Sequence, residues 1–172
     1  MNKNMNATTQ SDIETRATSS HAQELRLWLR MLATAHLVEA EIRSRLRSQF
    51  NITLPRFDLM SQLERAPDGM KMGELSKRMM VTGGNVTGIT DQLAAEGLVV
   101  REDNPNDRRA YNVKLTPVGR KTFMRMAEAH ELWIVELLGG LSEKEREQFY
   151  ALLAKLKAHV ASCATSKRAK ST

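Results

Sequence analysis

MGELSKRMMVTGGNVTGITDQLAAEGLVVRE, residues 72–102, is the stretch that decides the fold. It reads as two short helices, 71–80 and 82–97, parted by a turn near Thr82, Gly83 and Gly84. In the second helix Val86, Ile89 and Leu93 recur at i, i+3 and i+7 and predict a buried stripe. Asn85, Thr87, Asp91 and Gln92 lie off that stripe and predict a polar outer face. LVVREDNPNDRRAYNVKLT, residues 98–116, follows as a charged hairpin with strands over 98–102 and 111–115. Tyr111, Val113 and Leu115 alternate along the second strand, and Asn104-Pro105-Asn106-Asp107 marks the turn.

Two short helices followed by a basic hairpin predict a winged helix-turn-helix. A helix with amide and hydroxyl side chains outward suits the major groove, where such groups pair with base edges. A hairpin tipped with Arg108 and Arg109 suits a narrow minor groove, whose potential is strongly negative. No Lys or Arg occurs from Met80 to Val99, so phosphate contacts must come from Lys77, Arg78, the wing, and the amides near Thr82 and Gly84.

Working outward, Thr53 caps the preceding helix, Pro55 falls in its first turn, and Phe57, Leu59, Met60 and Leu63 form its core face. Upstream lies a long helix over 21–49, with a stripe of Leu25, Leu29, Leu32, Ile42, Leu46 and Phe50. His36 and Glu39 share that stripe, and Leu27, Met31, Ala35 and Val38 make a second one. A helix apolar over so wide an arc predicts a partner subunit. Downstream, Thr116-Pro117 opens a helix with the stripe Phe123, Met126, His130, Trp133 and Leu137, closed by Gly139-Gly140. Ser142 and Glu145 form a capping box for a last helix whose face is Phe149, Leu152, Leu153, Leu156 and Val160. The expected plan is mainly α, with a small antiparallel wing. A DNA-binding domain over 51–116 is flanked by dimerisation helices over 21–50 and 117–162. Polar residues 1–20 and the basic tail 163–172 are expected to be disordered.

The chain has 172 residues, a net charge of +6 and 41% hydrophobic residues, so one ordinary globular core with helical extensions is expected. The positive charge favours an anionic partner. No apolar run approaches the roughly 18 residues of a membrane span. The first twenty residues lack the apolar centre of a signal peptide, so the cytoplasm is the expected location. Cys163, the single cysteine, excludes an internal disulfide, and His21, His36, His130 and His159 show no ligand spacing. No phosphate loop, nucleophile elbow or paired-histidine helix occurs, so neither an enzyme nor a cofactor is expected.

This order of elements, with MGELSKRMMVTGGNVTGITDQLAAEGLVVRE and DNPNDRRAYNVKLTPVGR at its centre, resembles the MarR family of bacterial transcriptional regulators across roughly residues 22–160. The resemblance implies a homodimer on an inverted-repeat operator of duplex DNA, usually acting as a repressor. Asp107 and Arg109 match the family's wing signature, Arg109 entering the minor groove and Asp107 orienting it. Gly88 and Gln92 stand where many relatives carry arginine, which leaves base reading to Asn85, Thr87 and Gln92. The family releases DNA when a small molecule binds between its two lobes. Here Trp28, Met31, His36, Phe57, Met60 and His130 are the candidate lining. GGNVTGITDQL is similar to members that control breakdown of hydroxycinnamates, which implies an aromatic acid or its coenzyme A thioester as effector. Arg26, Arg30 and Arg56 are then candidates for the thioester phosphates. The competing reading is a winged-helix module that docks another protein and reads no DNA.

Overall fold

The computed structural model describes the backbone of residues 22–104 and 107–169 and the side chains of 22–102 and 111–163. The elements run α1 (Ala22–Phe50), α2 (Leu54–Glu64), β1 (Met70–Lys71), α3 (Met72–Met79), α4 (Gly83–Ala95), β2 (Val99–Asn104), β3 (Asp107–Leu115), α5 (Pro117–Leu137) and α6 (Glu143–Ala169). They fall into two compact units that divide between Met126 and Ala127. The arm expected to be disordered, 1–20, lies outside the described residues.

α1 stops where Asn51 turns to φ 50°, a left-handed conformation that asparagine tolerates better than most residues. Thr53 does sit at the N-cap of α2 with extended backbone, but its side chain makes no capping hydrogen bond. Pro55 and the Phe57 amide, which donates to the Thr53 carbonyl at 3.1 Å, start the helix instead. All four apolar residues assigned to its core face, Phe57, Leu59, Met60 and Leu63, are buried. Gly69 then takes φ 88°, and a Cβ there would come within 2.7 Å of Lys114 Cγ and 3.0 Å of the Val113 carbonyl. Only glycine fits this approach.

That turn delivers β1, a strand absent from the sequence reading, which had residues 71–80 as one helix. Two residues are too few to show a period. β1 exists because it pairs antiparallel with β3, Met70 opposite Val113 and Lys71 opposite Asn112. The sheet order is β1-β3-β2. β2 and β3 are longer than expected, pairing from Val99 opposite Leu115 to Asn104 opposite Asp107, with an irregularity between Asp103 and Asn104. The ladder needs only backbone groups, so it continues past the point where side-chain alternation ends.

The first unit is centred on α2. Ile42 and Leu46 of α1, Leu75, Val86, Leu93, Val99 and Val113 are buried with it, as are Phe123 and Met126 at the start of α5. Phe57 and Phe123 stack with ring centroids 5.4 Å apart. The Thr116 hydroxyl accepts the Gly119 amide at 2.9 Å, which caps α5 as expected. Gly119 lies so close to Leu98 that a Cβ would sit 1.8 Å from its carbonyl oxygen.

In the second unit α5 ends before Gly139, and the Ser142–Glu145 capping box is present. The Glu145 carboxylate accepts the Ser142 hydroxyl at 2.7 Å and the Ser142 amide at 2.8 Å, and these bonds hold its pKa below the usual carboxylate range. α6 continues to Ala169, past the break expected near residue 163. Every residue from 142 to 163 is exposed, the apolar face included. α1 is similarly bare over its first half: Leu25, Leu27, Trp28 and Leu37 are exposed. Of its apolar stripe, only Ile42 and Leu46 are fully buried, in keeping with an arc wider than one chain covers. His36, placed on that stripe, is exposed.

Candidate nucleic-acid interface

α4 has one buried side, and its composition differs from the expected stripe. Val86 and Leu93 are fully buried, but Ile89 is only half-buried and Thr90 takes the central place. Thr90 can do so because its hydroxyl donates to the Val86 carbonyl at 2.8 Å, satisfying its proton inside the helix. At about 100° per residue, the ridge opposite Val86 is formed by Gly84, Gly88, Asp91 and Ala95. Asn85 and Gln92 flank it on one side and Thr87 on the other, and all seven are exposed. A Cβ at Gly84 or Gly88 would meet nothing within 4 Å. The outer ridge is therefore bare backbone until Asp91.

The entry to α4 is open as well. Thr82 sits at the N-cap with extended backbone and makes no side-chain capping bond. The Val86 amide donates to the Thr82 carbonyl at 3.2 Å, so the amides ahead of it, at Gly83, Gly84 and Asn85, precede the intrahelical ladder. Such a helix start attracts an anionic oxygen. Thr87 donates to the Gly83 carbonyl at 3.0 Å, which leaves its hydroxyl oxygen to act as an acceptor. Before this entry Met80 adopts φ 56° and is 92% exposed. The Ser76 hydroxyl, donating to the Val81 carbonyl at 2.6 Å, holds that turn.

Of the cations assigned to phosphate, Lys77 is exposed, and Arg78 pairs with Glu74 one turn back at 2.7 Å with both side chains about half exposed. An exposed pair of this kind contributes under about 1 kcal/mol, so Arg78 can exchange Glu74 for a phosphate at small cost. The side chains of Asp107, Arg108 and Arg109 lie outside the described residues. Their backbone opens β3, with Asp107 opposite Asn104 at the end of the hairpin. Arg101, a residue the sequence reading missed, reaches from β2 to Asp91 of α4 and pairs with it. No sequence period links a helix residue to a strand residue ten positions later, so only the packing of β2 beside α4 reveals the pair.

The candidate effector residues belong to both units. Phe57 and Met60 share the buried core of the first unit. Trp28 is exposed and Met31 half-buried on α1, with His36 exposed further along. His130 belongs to the second unit, where its ring meets Trp133 edge-on at 6.4 Å, and burial holds its pKa below the ordinary imidazole value. Arg56 is not a free cation at a pocket mouth: it pairs with Glu96 at the end of α4, and its Nε is buried without a hydrogen-bond partner. Arg26 donates from Nε to the Ala22 carbonyl at 3.1 Å. Beside these, the Asp58 pKa is raised, first by burial and then by the charge of Glu39. Among the described residues no three His, Cys, Asp or Glu side chains cluster as metal ligands, and no helix is long and apolar enough to cross a membrane.

Residues 52–111, from the end of α1 through the first part of β3, match the family model described as MarR family. The crystal structure of a MarR family transcriptional regulator from Silicibacter pomeroyi is 34% identical, covers 83% of this chain and 99% of its own, and superposes with a TM-score of 0.71. The crystal structure of the S. aureus MepR–DNA complex is 26% identical, with 77% and 96% coverage and a TM-score of 0.65. Among curated proteins, the HTH-type transcriptional regulator PrsX of Escherichia coli is 37% identical over 87 residues, 51% of this chain and 52% of that protein. The chain spans about half the length of the curated relatives it matches.

Proposed function

The chain belongs to the MarR family of transcriptional regulators, and from that premise we propose that it binds duplex DNA as a homodimer and represses transcription until a small effector releases it. The observation that carries the reading is α4. It presents an exposed polar surface of Asn85, Thr87 and Gln92, two side-chain-free positions, and an open N-terminus. In a major groove the two amides match the paired donor and acceptor of adenine. Thr82 and Gly84 would meet a phosphate through backbone, with Lys77 and Arg78 beside them. Arg109, oriented by Asp107, enters the minor groove while Arg108 contacts its phosphates.

The bare apolar faces of α1 and α6 support the second subunit. Phe149, Leu152, Leu153, Leu156 and Val160 are each more than a third exposed in the single chain, an unusual amount of continuous apolar surface for a helix that remains alone in water. Two-fold pairing through these helices implies an inverted-repeat operator. The acidic Asp91 on an otherwise uncharged helix face is the observation that favours the rival, a protein-docking winged helix.

Salt separates the two. Neutralised phosphates release counterions, so a DNA reader loses affinity steeply as salt rises. A gel-shift titration on the intergenic DNA upstream of the gene is expected to show that slope. A flat response, or no binding at low salt, leaves the docking module. For the effector we propose an aromatic acid or its coenzyme A thioester, with Trp28, Met31 and His36 as the candidates on α1 that remain open to contact. Its binding must favour the DNA-incompetent arrangement to release the operator. Thermal-shift screening of both compound classes tests this, and a set without any shift overturns it. A regulator of this kind acts in the cytoplasm.

A further inference from the structure

We infer that the Arg101–Asp91 ion pair is a charge-cancelling device at the DNA surface, and that Arg101 is a positioning residue for α4 as well as a phosphate contact; the inference rests on the DNA-binding reading above. Asp91 stands on the outermost ridge of α4, in line with Gly84 and Gly88. Because those two positions have no side chains, nothing on the ridge ahead of Asp91 holds the helix backbone away from a groove. The same close seating brings the Asp91 carboxylate toward the phosphates, where an uncompensated negative charge is repulsive.

Arg101 supplies the compensation. Its guanidinium reaches from β2 and pairs with the Asp91 carboxylate through Nη2. The two side chains are 34% and 55% exposed, so the pair faces solvent and lies open to an approaching polyanion. A guanidinium has five N–H donors in a planar fork, and one bond to Asp91 leaves others for a phosphate oxygen. The pair also joins the helix proposed for the major groove to the strand leading toward the wing, so the two readers are tied by charge as well as by the core at Val99 and Leu93. α4 contains no other ionisable residue, and its C-cap Glu96 is already matched by Arg56. The face is therefore neutral only while Arg101 holds Asp91.

Arg101→Ala, Asp91→Asn and the double variant test this on a mixed-sequence DNA duplex, so no operator need be known. Arg101→Ala exposes the carboxylate and is expected to weaken binding about tenfold and flatten the salt slope by about one unit. Asp91→Asn frees the guanidinium and is expected to strengthen binding several-fold with a steeper slope. The double variant is expected to return close to the parent protein. Opposite signs for the two single variants, with melting temperatures unchanged, support the device. Losses in both, accompanied by lower melting temperatures, mean a brace of the fold and overturn it, as does no change in either. Failure of the parent protein to bind duplex at low salt overturns the DNA-binding reading itself. Binding by the parent protein with unresponsive variants overturns only the role of the pair.

Discussion

α2 and α6 each carry an apolar face, yet one is enclosed by the chain and the other is bare. In α2, Leu59, Met60 and Leu63 have no exposed surface, closed in by α1, α4 and the sheet. In α6, Leu152 is 65% exposed and Val160 57%. The difference teaches that an apolar stripe states a need for cover without saying which chain supplies it. For α2 the cover comes from elements of the same unit. For α6 we read it as a second copy.

The sharpest way to break this contrast is to truncate one leucine from each helix. Leu63→Ala removes a fully enclosed side chain and is expected to cost about 2–5 kcal/mol in denaturant unfolding, whatever the protein concentration. Leu153→Ala should leave that concentration-independent stability nearly intact and instead shift a monomer–dimer equilibrium in sedimentation. Equal losses in both variants, without any change in association, would mean that α6 is covered within its own chain.

A second pair of measurements separates the reading unit from the pairing unit. Arg109→Ala should weaken operator binding by about 1–3 kcal/mol and leave sedimentation unchanged. Unaltered affinity would remove the wing from the interface. Smaller again is Met80→Gly. Relief of a left-handed non-glycine backbone in the turn before α4 is expected to raise stability by about 1 kcal/mol in thermal unfolding, and a loss would mean that the methionine side chain holds the turn.

The smallest effect belongs to α5. Burial lowers the His130 pKa, so the folded protein disfavours the charged ring relative to the unfolded chain. Its contribution is whole above the unfolded value of about 6.5 and fades as pH falls toward the depressed folded value. Melting temperature should therefore fall more between pH 7.5 and 5 in the parent protein than in His130→Gln. Identical pH profiles would exclude His130 as a source of the dependence.

The legible parts of the sequence were those with local causes. Proline and capping residues placed the starts of α2, α5 and α6 within a residue or two, and the four core residues of α2 followed from helical spacing. β1 was invisible because its two residues carry no period and depend on a partner strand some forty positions away. Ile89 was chosen over Thr90 because hydrophobicity outranks a hydroxyl in any pattern, and only the bond to the Val86 carbonyl makes threonine a core residue. His36 follows from spacing as a member of the α1 stripe, but its exposure in the single chain does not. At the candidate interface Asn85, Thr87 and Gln92 were legible from their place off the stripe. The pairings of Arg101 with Asp91 and of Arg56 with Glu96 were not, since each joins two different elements brought together by folding.

By itself, then, the sequence determined the order of helices and hairpin, the core face of α2 and the family, because turns, caps and periodicity act over a few residues. Tertiary structure alone decided which cations remain free beside α4, that Gly69 and Gly119 have no room for a Cβ, and that α6 lies uncovered. Those outcomes depend on distances between segments far apart in the chain, and packing sets such distances where local propensity cannot.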